Sequence, residues 1–157
     1  MGDALKNRIK QSAGFSSPAV EAILNLMVAA DHVRTRMDRI CAELNITHGQ
    51  YNVLRILRGV HPDGHPRCSI AARMLERSPD VTRLVDRLEA QGLVERDRSV
   101  SDRRLSITRI TGDGLHVLSQ LDKAIAEMGR SFCKRVSDRD AKELIRICEG
   151  IYVDDEP

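Results

Sequence analysis

The 157-residue sequence predicts a mainly α-helical fold that carries one small β-hairpin. Three observations predict it. Apolar residues recur three or four apart through most of the chain, the spacing that lines one face of a helix. Aromatic residues make up only 3%, with no Trp, so the residues that usually fill a β-sandwich are scarce. Between residues 93 and 111 the helical period gives way to two short β-compatible runs around a polar connection. The length is that of one domain, and residues 1–157 are read as a single unit.

Residues 1–17 are polar, with Gly14, Ser16 and Ser17, and read as a loose arm with a short helical turn. Nothing breaks a helix from Pro18 to Leu44, where Val20, Ile23, Leu24, Met27, Val33, Met37, Ile40, Cys41 and Leu44 keep helical spacing. Thr47-His48-Gly49-Gln50 has capping-box spacing and should start a second helix, with Val53, Leu54, Leu57 and Val60 inward. His61-Pro62-Asp63-Gly64-His65-Pro66 is a breaker-rich loop. Ser69 is expected to cap a short third helix through Leu75. Ser78-Pro79 reads as an N-cap followed by Pro at the first helical position, opening a fourth helix to about Gln91, with Gly92 as its C-terminal stop.

Leu93–Arg98 and Arg104–Thr111 then form a hairpin with a charged tip. A long helix follows Thr111-Gly112-Asp113-Gly114, carrying Leu115, Leu118, Leu121, Ile125, Met128 and Phe132. Ser137 caps a last helix with Leu144, Ile145, Cys148 and Ile151. Residues 47–111 thus make a helix-turn-helix plus wing, flanked by long helices over 18–45 and 114–151. A module of that size cannot bury all the apolar surface of the flanking helices. They are therefore read as dimerisation helices, and the chain as a homodimer.

Composition narrows the function. Hydrophobic residues are 41% and charged residues 31%, ordinary for a soluble globular protein. No stretch reaches the ~20 apolar residues of a membrane span, and the N-terminus lacks the build of a secretory signal. A cytoplasmic protein with no membrane partner is expected. The net charge is only +2, so any nucleic-acid binding must rest on locally focused charge. From Arg67 to Thr111 there are ten Arg, no Lys and seven acids, a surplus of +3 that leaves −1 for the rest.

The helix from Pro79 to Gln91 is the most informative segment. Val81, Leu84, Val85 and Leu88 share one face, while Pro79, Thr82, Arg83 and Asp86 face away with Arg87 on the flank. That outer face offers donors suited to phosphates and base edges in a major groove. Arg83 suits a bidentate contact to guanine, and Thr82 suits a phosphate or a thymine methyl. By itself the same pattern also fits a solvated amphipathic helix. The hairpin tip, Asp102-Arg103-Arg104, adds two guanidiniums where the backbone reverses, placed for a minor groove, with Asp102 aiming a neighbouring Arg.

Ser78-Pro79-Asp80-Val81-Thr82-Arg83-Leu84-Val85-Asp86-Arg87-Leu88-Glu89, Gly92-Leu93-Val94-Glu95-Arg96, Asp102-Arg103-Arg104 and Ile110-Thr111-x-x-Gly114 together resemble the multiple-antibiotic-resistance regulator (MarR) family. The resemblance runs over roughly residues 46–118. It implies a winged-helix homodimer that binds pseudo-palindromic double-stranded DNA, usually as a repressor released by a ligand. It implies a recognition helix at 78–91, so that Ser78, Pro79, Thr82, Arg83 and Arg87 meet DNA. It also implies wing contacts from Arg103 and Arg104, with Arg104 in the minor groove and Asp102 steadying the wing. The family's ligands are often small aromatic or phenolic acids held between the dimer helices and the DNA module; Met27, His48 and Tyr51 are candidate lining residues, with core packing the competing role for Met27. The loop at 61–66 is longer and richer in Pro than the family pattern.

Other chemistries find less support. No enzyme motif for nucleophilic, phosphate-binding or metal-dependent catalysis occurs, so no enzyme and no cofactor is expected. His61 and His65 are four apart, but the intervening Pro62 and Gly64 deny them a helix, and no metal site is expected. The four Cys, at 41, 68, 133 and 148, form no C-x-x-C pair and read as reduced thiols. Cys41 and Cys148 lie in apolar patterns. Cys68, beside Arg67, is the one placed for redox activation. A helical interaction module without DNA binding is the remaining alternative.

Overall fold

The computed structural model describes residues 3–76, 80–97 and 106–153. Among the described residues seven helices and three short strands follow in the order α1 Asp3–Ile9, α2 Pro18–Ala42, α3 His48–Arg58, β1 His65–Pro66, α4 Arg67–Ala71, α5 Val81–Ala90, β2 Val94–Arg96, β3 Ile107–Ile110, α6 Gly112–Cys133 and α7 Asp138–Tyr152. The fold is mainly helical with one small antiparallel sheet, as expected.

The helix starts follow local chemistry. Ser17 accepts from the Val20 amide at the head of α2, with Pro18 at the first helical position. Thr47 and Gln50 form a complete capping box at α3. Thr111 accepts from the Gly114 amide and donates its own hydroxyl to Gly92 O at 2.7 Å, so one side chain starts α6 and ties it to the end of α5. Ser137 accepts from Asp140 at the head of α7.

Four local expectations are corrected. The fourth helix was expected to open at Ser78-Pro79; α5 instead begins at Val81, and the Asp80 carboxylate accepts from the Arg83 amide. An acid immediately before the first inward residue is as good a cap as Ser. The third helix is not capped by Ser69 and does not reach Leu75. It starts after Pro66, whose φ of −67° suits a helix entrance, and ends at Ala71. The 61–66 loop contributes an edge strand, because His65 and Pro66 pair with Thr108 and Ile107 and make the sheet three-stranded in the order β1-β3-β2. Proline is tolerated there because an edge strand need not donate on both sides. The N-terminal arm is more ordered than expected: α1 buries Leu5, and Lys6 lies over the Phe15 ring at 5.9 Å.

One core joins the module to the flanking helices. Val53, Leu54 and Leu57 of α3, Ile70 of α4, Val81, Val85 and Leu88 of α5, Leu93, Val94 and Ile110 of the sheet region, and Leu118 and Leu121 of α6 are all buried in it. Met37 and Cys41 add the C-terminal end of α2. Burial pushes the Cys41 thiol up to about 11, with Asp38 adding to the shift, so it stays a neutral packing group. The rest of α2 is different. Val20, Ile23, Leu26, Met27 and Val33 are exposed, and α7 buries no residue at all. Met27 therefore packs in no core of its own protomer, and Cys148 is half-buried rather than enclosed.

Candidate nucleic-acid interface

Helix α5 is held on three sides before it presents anything outward. Its inner face, Val81, Val85 and Leu88, is buried. Its C-terminal end closes with Gly92 at φ +72°: the Gly92 amide donates to Glu89 O and the Leu93 amide to Leu88 O, the paired bonds of a left-handed stop. The buried Gln50 of α3 donates to the Gln91 side chain at 2.9 Å, and Gln91 in turn donates to Asn45 O. The end of α5 is thereby locked across the start of α3.

The sheet is locked to the same helix. β2 and β3 pair with Val94 opposite Ile110 and Arg96 opposite Thr108. Arg96 bonds both Asp86 and Glu89 of α5, the latter at 2.9 Å. Arg109 of β3 lies 3.9 Å from Asp97. Close packing sets the exit from the sheet: a Cβ on Gly114 would sit 2.3 Å from Leu93 O, so only glycine lets α6 start this near the end of α5.

The outer face of α5 is what remains. Thr82, Arg83, Asp86 and Arg87 are exposed, as the helical period predicts. Arg83 and Arg87 line a shallow cleft of about 360 Å³ with Thr47, Gly49, Glu76, Asp80 and Leu84. Thr82 accepts a hydrogen bond from Arg67 Nη1 at 2.9 Å. The structure thus brings Thr82, Arg83 and Arg87 onto one surface. Ser78 and Pro79, and the wing residues Asp102, Arg103 and Arg104, lie outside the described residues.

The candidate ligand residues divide. His48 and Tyr51 are one turn apart on α3, with ring centroids 6.3 Å apart and stacked. Tyr51 is buried, and burial is the main cause pushing its phenol up. Met27 is 63% exposed, 14 residues before Cys41 and so about 20 Å along α2 from the core end of that helix. One protomer does not bring it to the other two. A separate apolar groove of about 590 Å³ lies between α2 and the end of α6, lined by Val28, Val33, Met128 and Phe132 and rimmed by Arg36 and Arg135.

Three interactions escaped the sequence: Gln50–Gln91, Arg96–Glu89 and Arg67–Thr82. Each joins residues on different elements, so no periodicity or capping pattern marks it. Among the described residues no cluster of three or more His, Cys, Asp or Glu is arranged to hold a metal ion. Cys68 is exposed at the start of α4. No described helix is long and apolar enough to cross a membrane.

A capped helix-turn-helix backed by a three-stranded wing sheet and carried between long helices is a winged-helix module. Comparison with known proteins agrees. The MarR family model matches residues 46–106. A MarR transcription factor from Planctomyces limnophilus is 34% identical, with a TM-score of 0.67 over 87% of this chain and 98% of that one. A curated relative from Thauera aromatica, named as a transcriptional regulatory protein for the hcr operon, is 27% identical over 110 residues, which cover 70% of this chain and 65% of the relative's length. The MepR–DNA complex of S. aureus has the same fold at 19% identity, with a TM-score of 0.74 over 89% of this chain and all of that one. The chain belongs to the MarR family of transcriptional regulators.

Proposed function

We propose that the protein is a ligand-responsive repressor that binds a pseudo-palindromic operator in double-stranded DNA as a homodimer in the cytoplasm. The observation that carries this reading is α5 itself: a capped helix with one buried face, locked at both ends, and an outer face of Thr82, Arg83 and Arg87. In this reading residues 47–111 are the DNA-binding module. Ser78, Pro79, Thr82, Arg83 and Arg87 meet the major groove. Arg103 and Arg104 enter the minor groove from the wing tip, and Asp102 steadies them.

Residues 18–45 and 114–151 form the dimer. The support is the apolar surface that a single chain leaves bare: Ile23, Met27 and Val33 of α2, Phe132 of α6, and Leu144, Ile145 and Ile151 of α7. We assign a second copy of the chain to the α2–α6 groove. The groove's rim is basic, with Arg36 and Arg135, and the acidic residues Asp154, Asp155 and Glu156 follow the uncovered α7 in sequence. In this reading a small aromatic or phenolic effector binds beside the stacked His48 and Tyr51 rings of α3, between the DNA-binding module and the dimer helices, with Met27 supplied across the dimer.

A gel shift against the protein's own upstream region at two salt concentrations tests the core of this reading. A discrete shift that survives competitor DNA and weakens with salt is expected. Binding no stronger than to scrambled duplex would reject operator recognition in favour of an interaction module.

A further inference from the structure

We infer that Arg67 is a working part of the DNA interface, holding the Thr82 hydroxyl as a hydrogen-bond donor for DNA while neutralising a backbone phosphate. This rests on α5 being the helix that enters the groove. Arg67 is the first residue of α4, and Thr82 is the second of α5. The bond between them, Nη1 to Oγ1 at 2.9 Å, spans the turn of the helix-turn-helix.

Three other arginines near this site are differently occupied. Arg96 is neutralised by Asp86 and Glu89, and Arg109 faces Asp97. Arg73 bonds back to Ser69 O of its own segment. Arg67 is fixed by a neutral hydroxyl, and among the described residues no carboxylate lies within 4 Å of its guanidinium. Its charge is therefore held exposed beside the outer face of α5, with no ion pair among the described residues. Nor does Arg67 serve α4. A cation in the first turn opposes the helix dipole, and the capping position before it is Pro66, with no side-chain cap.

The chemistry of the pair follows from donor counting. A guanidinium has five N–H donors and spends one here, leaving the remainder for a phosphate. Thr82 Oγ1 accepts from Arg67, so its single O–H proton is free for an acceptor such as a phosphate oxygen, guanine O6 or thymine O4. Accepting from a cation also polarises that O–H and strengthens it as a donor. A threonine that by itself is donor or acceptor thus becomes a donor to DNA.

Fluorescence anisotropy on a duplex carrying the protein's own upstream region, across a salt series, tests this with Arg67→Ala, Arg67→Gln, Thr82→Val and Arg67→Ala/Thr82→Val. Arg67→Ala should weaken binding about tenfold. The salt slope should fall by about 0.9 for each subunit. Arg67→Gln, which keeps volume and a donor without charge, should lose the same slope but less affinity. In the Thr82→Val background the Arg67→Ala loss should be clearly smaller than in wild type. Both side chains are exposed, so melting temperatures should not move. If Arg67→Ala binds as wild type, or if both Arg67 variants weaken binding with unchanged slope and no coupling to Thr82, the assignment is overturned. Arg83→Ala separates the two levels of argument. If it too binds as wild type, the reading of α5 fails; if it weakens binding while Arg67→Ala does not, only the role of Arg67 fails.

Discussion

Arg96, the last residue of β2, bonds the Glu89 carboxylate of α5 at 2.9 Å and pairs with Asp86 one turn earlier on the same helix. A single guanidinium thus fastens the wing sheet to the helix that carries Thr82, Arg83 and Arg87. The side chains of Arg96 and Glu89 are each three-quarters buried, so solvent screens their contact less than it would a surface pair. Arg96→Ala should cost about 1 kcal/mol of stability, because two carboxylates lose their shared partner. It should also weaken operator binding, because the angle between wing and helix is no longer held. Urea unfolding and anisotropy measured on the same variant check this. Wild-type affinity in Arg96→Ala would show that the wing is aligned by the sheet and core alone.

Arg83→Ala and Arg104→Ala should fail in different ways. Arg83 is exposed near the start of α5, where a bidentate guanidinium can read guanine in the major groove. Its loss should relax preference at one base pair in each half-site. Arg104, at the proposed wing tip, would meet a minor groove whose base pattern is degenerate. Its loss should cost about 1–3 kcal/mol of binding per subunit, more evenly across sequences, and flatten the salt dependence. Half-site centres should lie about 34–36 Å apart or at a multiple of that spacing. Randomised-site selection with both variants checks the assignment. A changed preference in Arg104→Ala with none in Arg83→Ala would exchange the two grooves.

Sedimentation should give twice the 17.6 kDa chain mass at micromolar concentration. Ile145, on α7, is 56% exposed in the single chain. Ile145→Asp should dissociate the dimer while leaving the core of the winged module intact, since no residue of α7 is fully buried within its own protomer. A well-folded wild-type monomer at that concentration would sink the proposed dimer, and an Ile145→Asp dimer of wild-type strength would place its interface elsewhere.

His65 should titrate below the ordinary histidine range. Its Nε2 is buried with no hydrogen-bond partner among the described residues, and burial, followed by the nearby Arg73 charge, lowers its pKa. The folded state therefore prefers neutral His65. The associated stability is complete above about pH 6.5, the unfolded value, and is lost as pH falls from there through the folded pKa. Imidazole signals followed by NMR should show the low pKa, and His65→Gln should lose part of the acid-side drop in melting temperature. A His65 pKa at or above the free value would remove this account.

Much of the molecule is written in local pattern. Thr47 and Gln50, Thr111 and Gly114, and Ser137 and Asp140 mark helix starts because capping joins residues three apart. Val81, Val85 and Leu88 mark the buried side of α5, and hence Thr82, Arg83 and Arg87 its outer side, because helical geometry turns sequence spacing into direction. Gly92 marks the stop of α5 because a left-handed residue there is cheapest as glycine. The winged-helix architecture follows from these signals, since each is satisfied within a few residues of chain, whereas the MarR family follows from the resemblance of the motifs at 78–89, 92–96, 102–104 and 110–114.

Tertiary structure decided the rest. A two-residue strand at His65–Pro66 exists only because β3 is there to pair with it, and sequence read it as loop. Asp80 rather than Ser78 begins α5, a choice between neighbouring caps made by where the buried face must start. Arg67–Thr82, Gln50–Gln91 and Arg96–Glu89 join positions 15, 41 and 7 apart, on separate elements in every case. Such contacts depend on the angle at which two packed elements meet, and that angle is a property of the whole core. Local spacing states which face a helix turns outward; packing alone determines which neighbour holds it there.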